Sequence, residues 1–244
     1  MKLAILLSGR LTTYEEGYKD IMEKLVQGND VDFYVGVSNE KANAELEKGF
    51  KELFKPVSYK KTAKGELTGI NWEKLKTNKS TTPIKKNIMF MWKNRLNVLN
   101  KLKKSKKKYD WIISTRVDER YARKLNYSKL VADKLNLPKT YGTSKQWKKA
   151  GDDWEGLQDQ VAIGKKPLIE KYLSVYPNLK KYINDVGKYK HLKNYDAEKL
   201  MNHHIIMKDI PINRFDFKFY LVRGEGGQRL HTKLARTATG FKTD

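Results

Sequence analysis

The segment Tyr109 to Tyr121, YDWIISTRVDERY, constrains the fold more than any other. Trp111, Ile112 and Ile113 are aromatic or β-branched, follow a lysine-rich polar stretch from Lys101 to Lys108, and are too few to make a helix alone. They read as a buried central strand. In an open α/β sheet a ligand sits outside the carboxyl ends of the strands, which puts Arg116, Asp118 and Glu119 where a ligand would lie. The same residues also read as a strand end dissolving into a solvated charged turn.

The chain before this strand alternates. Lys2 to Leu7 is a strand, and Ser8-Gly9-Arg10 is a tight turn whose glycine lets backbone approach a ligand closely. Thr12 or Thr13 then caps a helix with Glu15 and Glu16 in its first turn and Ile21, Met22, Leu25 and Val26 inward. A strand over Val31 to Val37, an amphipathic helix over Ala42 to Phe54 and a short strand over Val57 to Lys60 follow. Strand-helix-strand-helix-strand is the layout of a nucleotide-binding α/β domain. Thr62 to Pro83 reads as a loop, and Asn87 to Lys104 as a long helix carrying Arg95, which either snorkels to the surface or reaches a phosphate.

Past the central strand, Leu125 to Leu137 reads as helical or irregular and Pro138 to Thr143 as a strand. Ser144 to Glu155, SKQWKKAGDDWE, is a loop that either closes over a ligand or simply covers surface. LQDQVAIG places Asp159 and Gln160 just before a short apolar strand. Lys166 to Tyr182 and Ala197 to Met207 read as helices, Ile210 to Phe219 as a late strand, and Leu221 to Thr232 as a glycine-rich tail holding Arg223, Arg229 and His231. His203 and His204 are helix neighbours pointing to different faces, unsuited to one ion; His204 reads as core and His203 as ordinary.

The 244 residues contain no internal repeat and read as one domain over 1–244. With no cysteine, disulfides, thiolate nucleophiles and thiolate metal sites are excluded, which fits a reducing compartment. The opening apolar run is too short for a signal-peptide core, and no run approaches the ~18 apolar residues of a membrane span. A net charge of +23 permits a polyanion partner, either nucleic acid or an anionic membrane surface. The excess is lysine scattered along the chain, without a groove-reading helix or an array of stacking aromatics. The densest cluster, Lys101 to Lys108, reads as an exposed helix end whose lysines suit the C-terminal dipole. A basic nucleic-acid-binding protein or nuclease stands as the alternative.

Taken in order, LAILLSGRL, VDFYVGV, DWIISTRVDER, DQVAIG and EKLMNHHI resemble the GT-A-type glycosyltransferases of bacterial surface-glycan clusters and large DNA viruses. There the pieces read ISGQxR, DxF.H, an (R)xRxD variant of the DxD motif, and DQFAIG; the resemblance spans about residues 1 to 215. It implies a GT-A (Rossmann-like) three-layer α/β/α sandwich with a mostly parallel mixed central sheet. It implies transfer of a hexosyl or pentosyl group from a nucleotide-diphosphate-sugar donor to a glycan, glycoprotein or glycolipid acceptor, assisted by Mn²⁺ or Mg²⁺, in the cytoplasm or, for a viral protein, the host cytoplasm. Ser8, Gly9, Arg10, Arg95, Arg116 and Asp118 take the donor side, Asp118 and His231 the metal, Asp159 the catalytic place and Gln160 the acceptor side. Arg116 stands where the motif's first acidic residue would be, so either His231 or another distant ligand completes a cation site, or arginine takes over part of the cation's role. In an inverting enzyme Asp159 would take the acceptor's proton; in a retaining one it would position the sugar or stabilise an oxocarbenium ion; as a plain structural residue it would cap a turn.

Overall fold

The computed structural model describes residues 1–9, 11, 13–38, 44–63, 82–139, 159–185, 187–192 and 197–221. Strand β1 (Lys2–Gly9) is its axis, sending Leu3, Ile5 and Leu7 into one core and Ala4 and Leu6 into another. A strand buried on both faces needs a partner on each edge and a layer above and below. β2 (Asp30–Ser38) pairs parallel with one edge, from Lys2↔Asp30 to Gly9↔Val37, and β4 (Trp111–Arg116) pairs parallel with the other, from Leu3↔Trp111 to Ser8↔Arg116. β3 (Ser58–Thr62) adds in parallel beyond β2. On the far side β7 (Ala162–Gly164) runs antiparallel to both β4 and β6 (Leu135–Pro138), and β8 (Ile212–Phe215) is parallel to β6.

Among the described residues these seven strands form one mixed, mostly parallel sheet in the order β3-β2-β1-β4-β7-β6-β8. α1 (Tyr14–Asp20), its π-helical continuation Ile21–Val26 and α2 (Ala44–Phe54) cover the Leu3-Ile5-Leu7 face through Ile21, Leu25, Phe50 and Phe54. α3 (Thr82–Lys104), α4 (Lys166–Leu173), α5 (Val175–Asp185) and α6 (Ala197–Met207) cover the other. Met89, Trp92, Leu99 and Leu102 recur every three to four residues along α3, which gives it one continuous buried stripe. The result is the Rossmann-like three-layer sandwich that the resemblance implies. A separate two-stranded ribbon pairs β5 (Glu119–Tyr121) with β9 (Phe219–Leu221).

Several expected elements differ. The strand expected at Pro138 to Thr143 lies earlier, at β6, preceded only by a 3₁₀ turn at Tyr127–Lys129; residues 140–143 lie outside the described set. Asn136 hides this strand by putting an amide in its centre, yet the amide is fully used. It accepts from Val131 N (2.8 Å) and Asn213 Nδ2 (2.8 Å) and donates to the carbonyls of Val131 (3.0 Å), Lys134 (3.0 Å) and Ile163 (3.2 Å). The expected helix from Lys166 to Tyr182 is two helices broken at Ser174. Pro177 explains the break, since it lacks the N–H that a continuous helix would bond to Leu173 and is tolerated only in a new first turn. The expected late strand is also two pieces. Phe217 is buried between Phe215 (5.8 Å between ring centroids) and Tyr121 (5.5 Å), drawing the chain out of the large sheet and into the ribbon. Thr13 occupies the N-cap position of α1 without a side-chain cap bond; Thr12 lies outside the described residues. So do most of the 62–83 loop, the 144–155 loop and the tail after Leu221.

Candidate functional site

The carboxyl ends of β1 and β4 lie side by side, Ser8 level with Arg116, and Val117 N donates to Ser8 O at 3.1 Å. Gly9 follows with φ +128°, backbone that side chains rarely adopt, and a Cβ placed there would stand 3.3 Å from Asp118 Oδ1. The end of β1 therefore lies directly against the Asp118 carboxylate. Arg116 grips that carboxylate with both arms, Nε to Oδ1 at 2.8 Å and Nη2 to Oδ2 at 2.6 Å. Burial opposes the charge on Arg116, but Asp118, with help from Glu119 and Asp159, more than offsets it and raises its pKa.

The turn after β4 is fastened from behind by α1. Asp20 Oδ2 accepts from Tyr121 N (2.8 Å) and Arg120 Nε (3.3 Å), and Glu16 lies 3.5 Å from Arg120 Nη1. Gly17 makes the approach possible, because a Cβ there would fall 2.1 Å from Val117 O. Glu119 corrects the sequence reading. Along β5 alternate side chains point inward, so Glu119 and Tyr121 are buried while Arg120 faces outward. Glu119 Oε2 accepts from Thr115 Oγ1 and, at 3.4 Å, from Tyr121 OH; Oε1 has no hydrogen bond and lies 4.0 Å from Arg116 Nε. Burial raises its pKa to about 7, against the pull of Arg116 and Thr115.

A second pair sits beside the first. Arg95 is 2% exposed, with its guanidinium 4.7 Å from the Trp92 ring and Nη1 3.5 Å from Asp159 Oδ2. None of its three nitrogens makes a hydrogen bond among the described residues. It lines a narrow crevice with Leu6, Ser8, Val98, Ser114 and Leu173, beneath the end of β1. It is neither snorkelling nor exposed. Asp159 is buried, and its carbonyl accepts from Tyr172 OH at 3.0 Å; Gln160 beside it is half-buried. A wider surface hollow along α2, lined by Glu47, Lys48, Lys51 and Glu52, contains none of these groups.

The structure thus gathers Ser8 and Arg95 in one crevice, Asp159 against Arg95, and Gly9, at the end of β1, against the turn after β4 that carries the Arg116–Asp118 pair. Arg10 and His231 lie outside the described residues. His203 and His204 belong elsewhere. His203 is buried against Asp185 (3.2 Å), contrary to the ordinary position expected, and His204 Nδ1 pairs with Tyr182 OH (2.7 Å) while Nε2 meets Lys171 O (2.7 Å). The sequence reading missed Asp20, Thr115, Tyr121 and Tyr172. Strand alternation from Glu119 points to Tyr121, but nothing local marks Asp20.

A divalent cation of the Mg²⁺ or Mn²⁺ kind takes about six oxygen ligands. Both Asp118 oxygens are already engaged by Arg116, and among the described residues no group of three His, Cys, Asp or Glu gathers that could hold a metal. The described residues do not fit such an ion; the positive charge next to Asp118 is a guanidinium. No family model matches the chain, and no curated protein matches it either. Mouse xyloside xylosyltransferase 1, in its apo form, is structurally similar, with a TM-score of 0.47 at 12% identity over 88% of this chain and 86% of that one. At that distance the chemistry has to be read from this chain's own residues.

Proposed function

We propose that this chain is a glycosyltransferase moving a sugar from a nucleotide-diphosphate donor to a hydroxyl of a glycan, glycoprotein or glycolipid. One observation carries the reading: a glycine at φ +128° ending β1, a doubly bonded arginine-aspartate pair and a buried Arg95-Asp159 pair meet at the carboxyl edge of a mostly parallel sheet. Without a Cβ, Gly9 lets the end of β1 lie against Asp118, which sets the Arg116–Asp118 pair beside the backbone edge where the donor phosphates would bind. Arg116 supplies a permanent positive charge for the pyrophosphate leaving group, and Asp118 fixes the plane of its guanidinium. Asp159, ion-paired with Arg95, takes the proton of the acceptor hydroxyl as that oxygen bonds to the anomeric carbon. The anomeric carbon–oxygen bond to the phosphate breaks as the new bond forms, and its electron pair leaves with the nucleoside diphosphate. Arg95 holds the Asp159 carboxylate in place and keeps unused N–H groups for hydroxyl or phosphate oxygens of the bound sugar nucleotide.

Thermal-shift titration with UDP-, GDP-, CMP- and dTDP-sugars, each with and without Mn²⁺, tests this. One nucleotide class is expected to stabilise the protein by about 2.7 kcal/mol at a hundred times its Kd, a rise of about 5–10 °C for a chain this size. Arg116→Gln and Asp118→Asn are expected to abolish the rise. Absence of any donor response, beside a salt-sensitive response to DNA or RNA, would refute the transferase reading in favour of the nucleic-acid one.

A further inference from the structure

The candidate site occupies the carboxyl edge of the sheet, and the opposite edge has a different character. The α3–β4 connection emerges there, its backbone locked to the start of β1 by Asp110 N to Lys2 O (2.8 Å) and Lys2 N to Asp110 Oδ2 (2.6 Å). Lys101, Lys103 and Lys104 in the last turn of α3 and Lys106 and Lys108 in this connection are all exposed, and none of them forms an ion pair among the described residues. Lys107 is different, being held by Asp32 at 2.8 Å. Five uncompensated lysines within eight residues are more than a helix C-terminus needs, since the dipole is felt only within the last turn.

A second feature shares this edge. β8 is parallel to β6, β6 and β4 are both antiparallel to β7, and so β8 begins at the same edge as β4. The last turn of α6, which leads into β8, presents Ile206 at 53% and Met207 at 39% exposure, followed by the exposed Lys208. Few large apolar side chains are exposed among the described residues, and two of them lie here, adjacent in sequence.

We infer that this edge is a docking surface for an anionic lipid bilayer. Lysine stems and ammonium groups interact with acidic headgroups as point charges, and Ile206 and Met207 enter the boundary between headgroups and acyl chains. A nucleic acid would use the lysines equally, but it offers phosphates rather than hydrocarbon to an exposed Ile-Met pair, and the lysine run carries no exposed aromatic residue on which bases would stack. No helix among the described residues is long and apolar enough to cross a membrane, so the contact is with its surface. Ser8 lies six residue steps along β1 from Lys2, so a molecule lying this way holds its candidate site about 20 Å above the bilayer, open to the aqueous side. The inference stands on charge and exposure and is independent of the transferase reading.

Co-sedimentation of the full chain with vesicles tests it. Binding is expected to vesicles of 70% phosphatidylcholine and 30% phosphatidylserine, to be absent with phosphatidylcholine alone, and to weaken as salt rises. Each lysine removed is expected to weaken partitioning about fivefold, so Lys103→Gln/Lys104→Gln/Lys106→Gln loses about a hundredfold. Ile206→Ser/Met207→Ser is expected to weaken binding severalfold, whereas Lys48→Gln/Lys180→Gln, with both charges removed elsewhere on the surface, keeps all but a small general-charge loss. All five lysines of the test variants are solvent-facing, and an unchanged melting temperature verifies that they fold. Equal losses in the triple and control variants would overturn the inference, as would binding that ignores lipid charge or no vesicle binding at all. So would duplex DNA binding that needs the three lysines but ignores Ile206 and Met207, since that pattern assigns the edge to nucleic acid.

Discussion

Gly17→Ala isolates the contact on which the candidate site leans. An alanine raises helix propensity by about 1 kcal/mol over glycine, so on local grounds the change stabilises. Its Cβ, however, would stand 2.1 Å from Val117 O, and reaching even 3.0 Å requires α1 and the 116–121 turn to part by 0.9 Å (3.0 minus 2.1). Neither side is a flexible side-chain tip; both are backbone. Overpacking of this kind costs about 1–3 kcal/mol. The separation also stretches the 2.8 Å bond from Tyr121 N to the Asp20 carboxylate, a charge-assisted bond of about 1.5–3 kcal/mol. Taking mid-values and crediting the propensity gain leaves a net loss of about 3 kcal/mol, or about 6–12 °C in Tm. Urea unfolding followed by tryptophan fluorescence reads it, because Trp92 and Trp111 are buried in the two cores. Gly28→Ala is the reference: nothing lies within 4 Å of its Cβ position, so it bears only the left-handed backbone cost of about 1–2 kcal/mol at φ +78°. If Gly17→Ala proved as stable as the parent chain, or no worse than Gly28→Ala, the close approach of α1 to the turn would be wrong.

Other consequences are equally measurable. Burial lowers the His204 pKa from 6.5 to about 4, so the folded state binds fewer protons than the unfolded one between those values. Stability is therefore complete above pH 6.5 and declines by about 3 kcal/mol as pH falls through 4; His204→Gln is expected to remove about one proton's slope from this acid limb in urea-unfolding measurements. Asn136→Ala, which strands Val131 N and leaves the carbonyls of Val131, Lys134 and Ile163 without the amide, is expected to lower unfolding free energy by about 3 kcal/mol. Arg95→Met combined with Asp159→Leu replaces a buried, poorly bonded ion pair by apolar groups; it is expected to raise stability by about 1–4 kcal/mol while abolishing sugar transfer, a pairing that unfolding and transfer assays on one preparation would check.

The parts of the fold that were legible in the sequence are those where burial is continuous. β1, β2 and β4 are covered on both faces and so carry runs of consecutive buried residues, and α3 shows its stripe at helical spacing. β6 and β7 were not legible in the same way. β7 has three residues and β6 has four, with an amide inside and a proline at the end, and their one register pair, Asn136↔Ile163, is reinforced by the Asn136 side chain, which no pattern announces. At the candidate site, the polar end of β4 was visible as an abrupt change from Ile-Ile-Ser-Thr to Arg-Val-Asp-Glu. The direction in which each side chain points was not. Arg95 in an apolar helix has the same sequence signature whether its guanidinium is buried or reaches water, and only Asp159, far along the chain, decides it. Asp20 grips a backbone N–H 101 residues away, for which no local spacing rule exists.

The position of β1 between β2 and β4 also sets a timetable for synthesis. Its β2 edge can close once residue 38 has emerged, but its β4 edge waits until residue 116, more than seventy residues later. At about 5–20 residues per second, Leu3 to Leu7 stay unpaired on that side for several seconds while the growing chain is still attached to the ribosome. An open apolar edge is a template for pairing with other chains, so the yield of folded protein depends on how quickly β4 arrives. Slowing translation between codons 39 and 110 would lengthen that exposure without changing one atom of the finished molecule.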